Sequence, residues 1–248
     1  MPDLSLVVPC YNEEEIVGTT ISDLLTAFGT AGHDLEIVAV DNGSTDRTGD
    51  ILRDLTRRSG RIVCHRIEVN RGYGNGLLAG LPLATAPWVG ITCADGQVSA
   101  PDTVKLYEIA ARSSGAKLVK VRRRFRMDGF PRKITSITYN VLTATLFGGL
   151  GSIDINGNPK IIPRSYLERM NLQSKDWFLD AEIMIKAKRL ALPVIEMNIM
   201  AQMREGGKSN VRPGTCWEFV LNLLRYRFGG AAPHDAGNGE PTQGGPAR

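Results

Sequence analysis

Residues 35–48 read LEIVAVDNGSTDRT, a short apolar run that ends at Asp41 and continues directly into polar, turn-forming residues. Three similar runs occur in the first half of the chain: LSLVVP at 4–9, RIVCHRI at 61–67 and WVGITC at 88–93. Their length and β-branched residues predict strands, and near-continuous apolar character is typical of strands covered on both faces of a parallel sheet. The sequence therefore predicts an α/β fold with a mostly parallel central sheet flanked by helices.

Helical patterns separate these runs, as the right-handed crossovers of a parallel sheet require. Glu13, Glu14 and Glu15 predict an acidic first turn for the first helix, because negative charge suits the positive end of a helix dipole. The second half of the chain is less regular, but its apolar patterns predict two more strands and three more helices. The predicted helices span residues 13–29, 46–58, 76–84, 102–113, 133–147, 179–190 and 217–228, and the additional strands span 117–121 and 194–199.

The composition is that of an ordinary globular protein, with 248 residues, 42% hydrophobic and 23% charged. We expect one domain over residues 1–228 and a disordered tail at 229–248, which is rich in Gly and Pro and lacks apolar anchors. The first residues do not resemble a signal peptide, and no run of about 18 apolar residues occurs, so a cytoplasmic protein is expected. The four cysteines form no C-x-x-C pair and are interpreted as reduced thiols. The net charge of +4 is modest, and we expect no nucleic-acid partner.

Polar residues follow three of the predicted strands directly, at 9–13 (PCYNE), 41–46 (DNGSTD) and 94–97 (ADGQ). Ligands of open parallel sheets bind outside the carboxyl ends of the strands, so these segments are the first candidates for a site. A carboxylate such as Asp41 or Asp95 can hydrogen-bond a ribose or base, or hold a divalent cation against a diphosphate. The alternative for Asp41 or Ser44 is to cap the next helix.

Glycines alternate at 70–76 (NRGYGNG), after the third predicted strand. Such glycines either let the backbone approach a ligand or let the loop turn tightly. The spacing is not G-x-G-x-x-G, and G-x-x-x-x-G-K-[ST] is absent from the chain. Dinucleotide-binding and P-loop functions therefore lose support.

These segments resemble family 2 glycosyltransferases. Residues 9–13 are similar to the P-x-Y-N-E opening of that family, 41–48 to its D-D/N-G-S-x-D-x-T element, and 70–76 to its N-x-G-x-G-x-A/G loop. The dolichyl- or polyprenyl-phosphate mannosyltransferase-like branch is the most similar one. Residues 94–97 resemble its D-A-D-L-Q signature, and 204–209 (REGGKS) resemble its R-x-x-G-x-S.

The resemblance implies a GT-A fold, a single Rossmann-like domain that uses a GDP- or UDP-sugar donor with a divalent cation, Mg²⁺ or Mn²⁺, and inverts the anomeric carbon. Asp95 and Gln97 would face the metal and the diphosphate. The residues implied to bind the nucleotide are Pro9, Tyr11, Asn12, Glu13, Asp41 and Asp95.

The chain departs from the family pattern at two places. Cys93 replaces the first Asp of D-A-D, and a thiol is a softer ligand that suits Mg²⁺ or Mn²⁺ poorly. Metal binding is then weaker than in the family, uses Asp95 and Gln97 with waters, or is absent. Residues 154–160 (DINGNPK) replace the mannosyltransferases' D-P-x-S-G-F, which leaves the sugar and the acceptor open.

Basic residues are candidates for binding phosphate. Six of the twelve residues at 122–133 are basic, which concentrates positive potential, although a solvated loop is the alternative. A guanidinium could stabilise the leaving diphosphate beside Asp95. The candidates for this role or for binding the acceptor phosphate are Arg123, Arg124, Arg126, Arg132, Arg204 and Ser209, and the catalytic candidates are Asp95, Asp180 and Arg204.

The acceptor decides whether a base is needed. A polyprenyl phosphate is already an anion and needs none, which is our first hypothesis. A peripheral enzyme at the cytosolic membrane face would suit it, with the amphipathic run 217–228 as membrane contact, although core packing explains that run too. The second hypothesis is a soluble hydroxyl acceptor (a sugar, nucleoside or secondary metabolite) with Asp180 as general base, unless Asp180 merely caps the helix that follows. A third is a nucleotide-binding pseudoenzyme.

Overall fold

Strands β1 (Leu4–Cys10) and β2 (Leu35–Asn42) are neighbours in a seven-stranded sheet and pair in parallel, from Leu4 opposite Leu35 to Cys10 opposite Asp41. The structure, a computed structural model, describes residues 1–123, 140–200 and 213–228, and only the backbone of 213–220. The strand order is β3-β2-β1-β4-β6-β5-β7.

Parallel strands and crossover helices alternate in the first half. Strand β3 (Ile62–Ile67) pairs with β2, and β4 (Trp88–Ile91) pairs with β1. The helices are α1 (Val17–Thr30), α2 (Thr48–Arg58), α3 (Tyr73–Gly80) and α4 (Ala100–Arg112), and a short 3₁₀ turn (Leu81–Leu83) follows α3.

The second half completes the sheet with one reversed strand. Strand β6 (Lys160–Pro163) lies between β4 and β5 and runs antiparallel to both, whereas β5 (Leu118–Arg123) and β7 (Val194–Ile199) pair in parallel. The remaining helices are α5 (residues 140–147), α6 (Arg164–Met170), α7 (Leu179–Arg189) and α8 (Pro213–Phe228).

Side chains alternate between the two faces of the sheet and form a core on each face. In β2, Ile37 and Ala39 pack with the apolar residues of α1 and α4, whereas Val38 and Val40 pack with those of α3 and α7. Since both faces are covered, the apolar runs of the sequence become buried parallel strands.

The α/β fold with a mostly parallel sheet is confirmed. Strand β7 has the predicted bounds, and the other predicted strands shift by two residues or fewer at either end. Strand β6 and helix α6 were not predicted. Strand β6 has only four residues, follows Pro159, opens with a lysine and ends in a proline, so it carries no strand pattern. Within the described residues no helix is long and apolar enough to cross a membrane.

The predicted acidic first turn of α1 is wrong. Helix α1 begins at Val17, so Glu13, Glu14 and Glu15 precede it. The backbone N–H of Glu13 donates to Thr48 at the start of α2, and that of Glu14 donates to Asp46 in the loop after β2, which holds these residues outside α1. Residues 133–139 of a predicted helix and the predicted tail 229–248 lie outside the described residues, and the domain bounds stay a prediction.

Helix α3 packs closely on the sheet because Gly80 has no side chain. A Cβ at Gly80 would lie 2.6 Å from Val7 Cγ1 and 2.8 Å from Val40 Cγ2. Gly80→Ala is expected to lower the free energy of unfolding by about 1–3 kcal/mol through overpacking. The matched control is Gly29→Ala in α1, where no atom lies within 4 Å of the new Cβ; it should leave stability unchanged or raise it. Urea unfolding measures both, and equal stability of the two variants would contradict the packing.

Candidate active site

The polar segments that follow β1, β2 and β4 meet at one edge of the sheet. These three strands are neighbours in the order β2-β1-β4 and run parallel, so their carboxyl ends lie side by side. Pro9, Asp41 and Asp95 therefore belong to one edge, as the sequence predicted. This edge is where open parallel sheets bind ligands.

Hydrogen bonds join the loop after β1 to the loop after β2. Asn12 Oδ1 accepts from the backbone N–H of Thr45 at 2.9 Å, and the Asn12 N–H donates to Ser44 Oγ at 3.1 Å. Asn12 has a φ of 53°, a left-handed conformation that Asn tolerates better than most residues. The Glu13 N–H donates to Thr48 Oγ1 at 2.9 Å. Two segments that resemble nucleotide-binding elements thus form one connected surface.

Asp41 is 1% exposed and fixes its own turn. Its Oδ1 accepts from the Ser44 N–H at 2.9 Å, and its Oδ2 pairs with Arg66 Nη1 at 2.6 Å. A Cβ at Gly49 would lie 2.4 Å from Asp41 Oδ2, so this pair requires a glycine there. Because α2 begins at Thr48 and has no side-chain cap, the alternative of Asp41 or Ser44 capping α2 is wrong.

A cavity of about 380 Å³ lies beside Asp41, between α2 and β3. Three guanidinium groups line it, from Arg53, Arg57 and Arg66, together with Thr56 and Cys64. The sequence analysis did not single out Arg66.

The glycines at 72–76 leave room for another segment of the chain to pack against them. A Cβ at Gly72 would lie 2.6 Å from the carbonyl oxygen of Lys175, and one at Gly74 would lie 2.3 Å from that of Ser174. The Asn75 N–H also donates to the Lys175 carbonyl at 2.8 Å. Close packing of segment 174–176 on α3 therefore explains these two glycines, whereas the sequence had offered ligand approach or a tight turn.

Asp95 and Gln97 are both partly exposed in the loop after β4, where Asp95 Oδ1 accepts from the Gln97 N–H at 3.2 Å. The described residues include no group of three or more His, Cys, Asp or Glu side chains placed to hold a metal ion. Mg²⁺ is commonly held by one or two carboxylates together with substrate phosphates and waters. The Asp95 carboxylate and the Gln97 amide oxygen fit this way of holding Mg²⁺, in which a bound diphosphate supplies further ligands.

A buried polar cluster lies behind this loop. Lys160, at the start of β6, is fully buried and forms an ion pair with Asp180, which is 3% exposed in the first turn of α7. Asn158 Oδ1 accepts from Lys160 Nζ at 3.1 Å, and Asn158 Nδ2 donates to Asp180 and to Tyr73 Oη. Burial, together with the nearby charge of Asp180, raises the pKa of the Tyr73 hydroxyl well above its usual value.

The cluster decides two expectations about α7, one against and one in favour. Helix α7 has no side-chain cap, so the alternative that Asp180 caps it is wrong. Glu182 points elsewhere, as expected for residues two apart on a helix, and accepts from the N–H groups of Gln173 and Ser174. The sequence analysis missed Lys160, Asn158 and Tyr73 as members of a site, although the departure at 154–160 marked the segment that supplies two of them.

A second set of charged residues lies at β5 and comprises Lys120, Arg123 and Asp154. Lys120 is directly opposite Lys160 in the sheet. Arg123 Nε and Nη2 each donate to Asp154 at 2.9 Å. Burial opposes ionisation of Asp154, but the hydrogen bonds and charge of Arg123 outweigh it and hold the pKa of the carboxyl well below its usual range. Arg123 thus uses two of its nitrogens to bind Asp154. Its predicted role in binding a phosphate stays a prediction.

Five predicted phosphate-binding or catalytic residues lie outside the described residues: Arg124, Arg126, Arg132, Arg204 and Ser209. Within the described part, the structure brings together Pro9, Tyr11, Asn12, Glu13, Asp41, Asp95 and Gln97 at the sheet edge, with Asp180 buried behind it.

A family model for glycosyl transferase family 2 matches residues 5–169. The chain belongs to this family. The match covers the strand-end loops and the segment 154–160, and the observed arrangement of sheet and helices confirms the GT-A fold implied by the sequence resemblance.

Among similar proteins, an undecaprenyl-phosphate 4-deoxy-4-formamido-L-arabinose transferase of Pectobacterium carotovorum is 30% identical over 84% of this chain and 62% of its own length. A dodecaprenyl-phosphate galacturonate synthase of Rhizobium johnstonii is 28% identical over 91% of this chain and 67% of its own length. The chain thus spans about two thirds of these relatives.

A similar fold is found in glucosyl-3-phosphoglycerate synthase of Mycobacterium tuberculosis, crystallised with Mn²⁺, UDP and glucosyl-3-phosphoglycerate. The TM-score is 0.72, with 19% identity over 95% of this chain and 82% of the other. This likeness supports the fold.

The buried Lys120 predicts a pH-dependent stability. Burial and the nearby charge of Lys160 lower the pKa of Lys120 to about 8, although Asp154 and Glu196 oppose this effect. Unfolded lysines titrate near 10.4, roughly two units higher, so the unfolded state binds more protons between these values. The contribution of Lys120 to the free energy of unfolding therefore rises with pH in this window, by at most about 1.4 kcal/mol per unit.

Urea unfolding at several pH values between about 8 and 10 tests this prediction by comparing the wild type with Lys120→Met. As the pH rises, the free energy of unfolding of the wild type should increase relative to that of Lys120→Met. Lys105→Met, which removes an exposed lysine of α4, is the control and should follow the wild type. Parallel pH dependences for all three proteins would contradict a depressed pKa.

Proposed function

We propose that the protein is an inverting glycosyltransferase that moves a sugar from a nucleoside-diphosphate sugar to a polyprenyl phosphate. The observation that carries the acceptor assignment is the buried ion pair between Asp180 and Lys160. Asp180 is the candidate general base of the site, and its carboxylate is already paired with Lys160. The ion pair therefore favours an acceptor that needs no base.

The donor nucleotide would bind across the loops after β1 and β2, with Pro9, Tyr11, Asn12, Glu13 and Asp41 as its contacts. Family membership and the connected loops support this assignment. The base and the sugar can be identified by thermal stabilisation with a panel of GDP- and UDP-sugars, in the presence of Mn²⁺, Mg²⁺ or EDTA.

Asp95 and Gln97 would hold a divalent cation, which supplies positive charge to the leaving diphosphate. The cation depends on the bound substrate, because these two residues provide few ligands by themselves. Arg204 and the basic segment 122–133 are proposed to add charge at the leaving group and to hold the acceptor phosphate.

Asp180 has little capacity left to act as a base. Its Oδ1 accepts from Lys160, and Asn158 Nδ2 lies 3.3 Å from each carboxylate oxygen. Proton transfer to Asp180 would remove the counter-charge of a fully buried ammonium, which is costly. A hydroxyl acceptor would have to lose its proton to such a group, whereas a lipid phosphate is already an anion near neutral pH and needs no protein base.

In the proposed reaction, an oxygen of the lipid phosphate attacks the anomeric carbon from the face opposite the nucleoside diphosphate. The new C–O bond forms as the bond to the diphosphate breaks, through an oxocarbenium-like transition state with inversion. The nucleoside diphosphate leaves with the electron pair, and no side chain takes a proton.

The relatives support a lipid phosphate acceptor, since two of them are named for transfer to undecaprenyl and dodecaprenyl phosphate. Synthesis of glucosyl-3-phosphoglycerate by a protein of similar fold favours a soluble acceptor as second candidate. We propose the cytosolic face of a membrane as the place of reaction, with peripheral contact through the chain's basic and amphipathic segments.

Asp180→Asn tests the acceptor class. With undecaprenyl phosphate and the donor that the panel identifies, kcat should stay within about tenfold of wild type, because losing a general base would cost roughly 10²–10⁴-fold. The rate should rise with pH through the ionisation of the acceptor phosphate, at a pKa of about 6.

Since the variant leaves Lys160 without its counter-charge, assays are run below its melting temperature, and binding of the donor nucleotide is checked first. The matched control is Glu182→Gln, the neighbouring buried acid of α7, which points away from the cluster. A loss of a hundredfold or more in Asp180→Asn alone, with intact nucleotide binding, would support the hydroxyl acceptor. Donor hydrolysis or transfer above background by the wild type would eliminate a pseudoenzyme.

A further inference from the structure

Arg123 is held by one carboxylate through three hydrogen bonds. Its Nε donates to Asp154 Oδ2 and its Nη2 donates to Asp154 Oδ1, each at 2.9 Å, and its backbone N–H donates to Oδ2 at 3.2 Å. Asp154 therefore occupies the Nε–Nη2 side of the guanidinium. A guanidinium carries five N–H groups, so the two on Nη1 and the second one on Nη2 remain for another acceptor. Among the residues that the structure describes, none accepts these remaining hydrogens.

Arg123 lies at the same end of the sheet as the loop that carries Asp95. Ile91, Lys160 and Lys120 form one row across β4, β6 and β5. Because β4 and β5 are both antiparallel to β6, they run in the same direction, and Asp95 and Arg123 lie beyond this row on the same side. Only β6 separates the two strands, which is roughly 10 Å at the usual spacing of neighbouring strands. A ligand that extends from the loop after β4 can thus reach Arg123.

The backbone of Asp154 is fixed by a buried ammonium group. Lys120 is fully buried, and its Nζ donates to the carbonyl oxygens of Val121 and Asp154. Its third proton goes to Oε1 of Glu196, which lies directly opposite on β7, at 3.3 Å. Glu196 also accepts from the backbone N–H of Ile153 at 3.2 Å. Asp154 is therefore held through its backbone as well as through its carboxylate.

Gly157 allows this segment to close on β5. A Cβ at Gly157 would lie 2.3 Å from the carbonyl oxygen of Val121, 2.9 Å from Lys120 Nζ and 3.0 Å from Asp154 Oδ2. The Gly157 N–H donates to the carbonyl oxygen of Asp154 at 2.9 Å. The segment 154–160, which departs from the mannosyltransferase pattern, is thus packed against β5, and Asp154 is its contact with Arg123.

Stability alone does not account for the buried pair of Arg123 and Asp154. A buried ion pair stabilises a protein little more than apolar side chains of the same volume, because desolvation of the two charges offsets their attraction. What the pair supplies is a fixed orientation of the guanidinium, with the N–H donors of one side left over. Planar donors of this kind match two oxygens of a phosphate, and the arginine side chain is only 12% exposed, which strengthens such hydrogen bonds.

We propose that Asp154 is a positioning residue: by holding the Nε side of Arg123, it directs the Nη1–Nη2 side to the phosphate of the acceptor. This inference rests on the proposed function in that the acceptor carries a phosphate group. It singles out one arginine of the basic segment 122–133 and gives the departure at 154–160 a function in placing the acceptor. The ligand class is a phosphomonoester, carried by a lipid or by a small molecule.

Calorimetric binding of farnesyl phosphate, with and without UDP or GDP, tests the proposal. Farnesol is the ligand without phosphate, and inorganic phosphate is the ligand without lipid. Asp154→Asn keeps the side-chain volume but replaces one acceptor oxygen by an NH₂ group, and it should weaken farnesyl phosphate binding about tenfold. Arg123→Lys keeps the charge but loses the planar donors, and it should weaken this binding about ten- to hundredfold. Binding of farnesol and of the nucleotide should stay unchanged in both variants, which also checks that they are folded.

Glu168→Gln is the matched control, since it removes the carboxylate partner of another arginine, Arg164, at the opposite end of the sheet. It should bind farnesyl phosphate like the wild type. Wild-type affinity in Asp154→Asn, or an equal loss in Glu168→Gln, would overturn the proposal.

Chemical rescue separates positioning from a general loss of structure. Arg123→Ala should regain farnesyl phosphate binding when guanidinium chloride is added at millimolar concentrations, because Asp154 can hold the added ion. The double variant Arg123→Ala/Asp154→Asn should not regain it, and equal rescue of both variants would overturn the proposal.

The two ligands distinguish this inference from the proposed function. Tight binding of farnesyl phosphate that depends on neither Arg123 nor Asp154 would overturn the inference and leave the proposed function intact. Inorganic phosphate bound through Arg123 and Asp154, with farnesyl phosphate bound no more tightly, would instead support the inference and contradict the lipid acceptor.

Discussion

The ion pair between Lys160 and Asp180 is the constraint on which the interior of the site depends. Two opposite charges buried from water are tolerated only when they pair with each other and when hydrogen bonds satisfy their remaining donors and acceptors. Lys160 opens the reversed strand β6, and Asp180 lies in the first turn of α7. Asn158 extends the pair to Tyr73 at the start of α3, so one polar cluster joins the second half of the chain to the first.

Backbone packing also joins the second half of the chain to the first. Segment 174–176 lies against Gly72 and Gly74 with no room for a Cβ, and Trp177 stacks on Tyr73. The segment between α6 and α7 is thereby held against the loop that follows β3. Packing and hydrogen bonds thus hold the sheet edge at β1, β2 and β4 together with the segment that carries Asp180. This arrangement would supply the preorganisation that the proposed transfer between two bound substrates needs.

Much of the fold was predictable, because the apolar runs before Asp41 and Asp95 are short, β-branched and followed by polar turns. The edge at which Pro9, Asp41 and Asp95 lie follows from parallel topology alone. Strand β6 was not predictable from pattern, since it is four residues long and antiparallel. The partners of Asp180 were equally hidden: Lys160 is 20 residues away in sequence and Asn158 is 22, and their pairing exists only once the strands are ordered.

We propose that glycosyl transfer in this protein proceeds without a protein base, because Asp180 is paired with Lys160. The most direct measurement is the solvent deuterium isotope effect on a single turnover with undecaprenyl phosphate, taken where the rate no longer depends on pH. Equal rates in H₂O and D₂O are expected, since no proton moves when a phosphate oxygen attacks. A clearly slower reaction in D₂O, for enzyme saturated with both substrates, would contradict it.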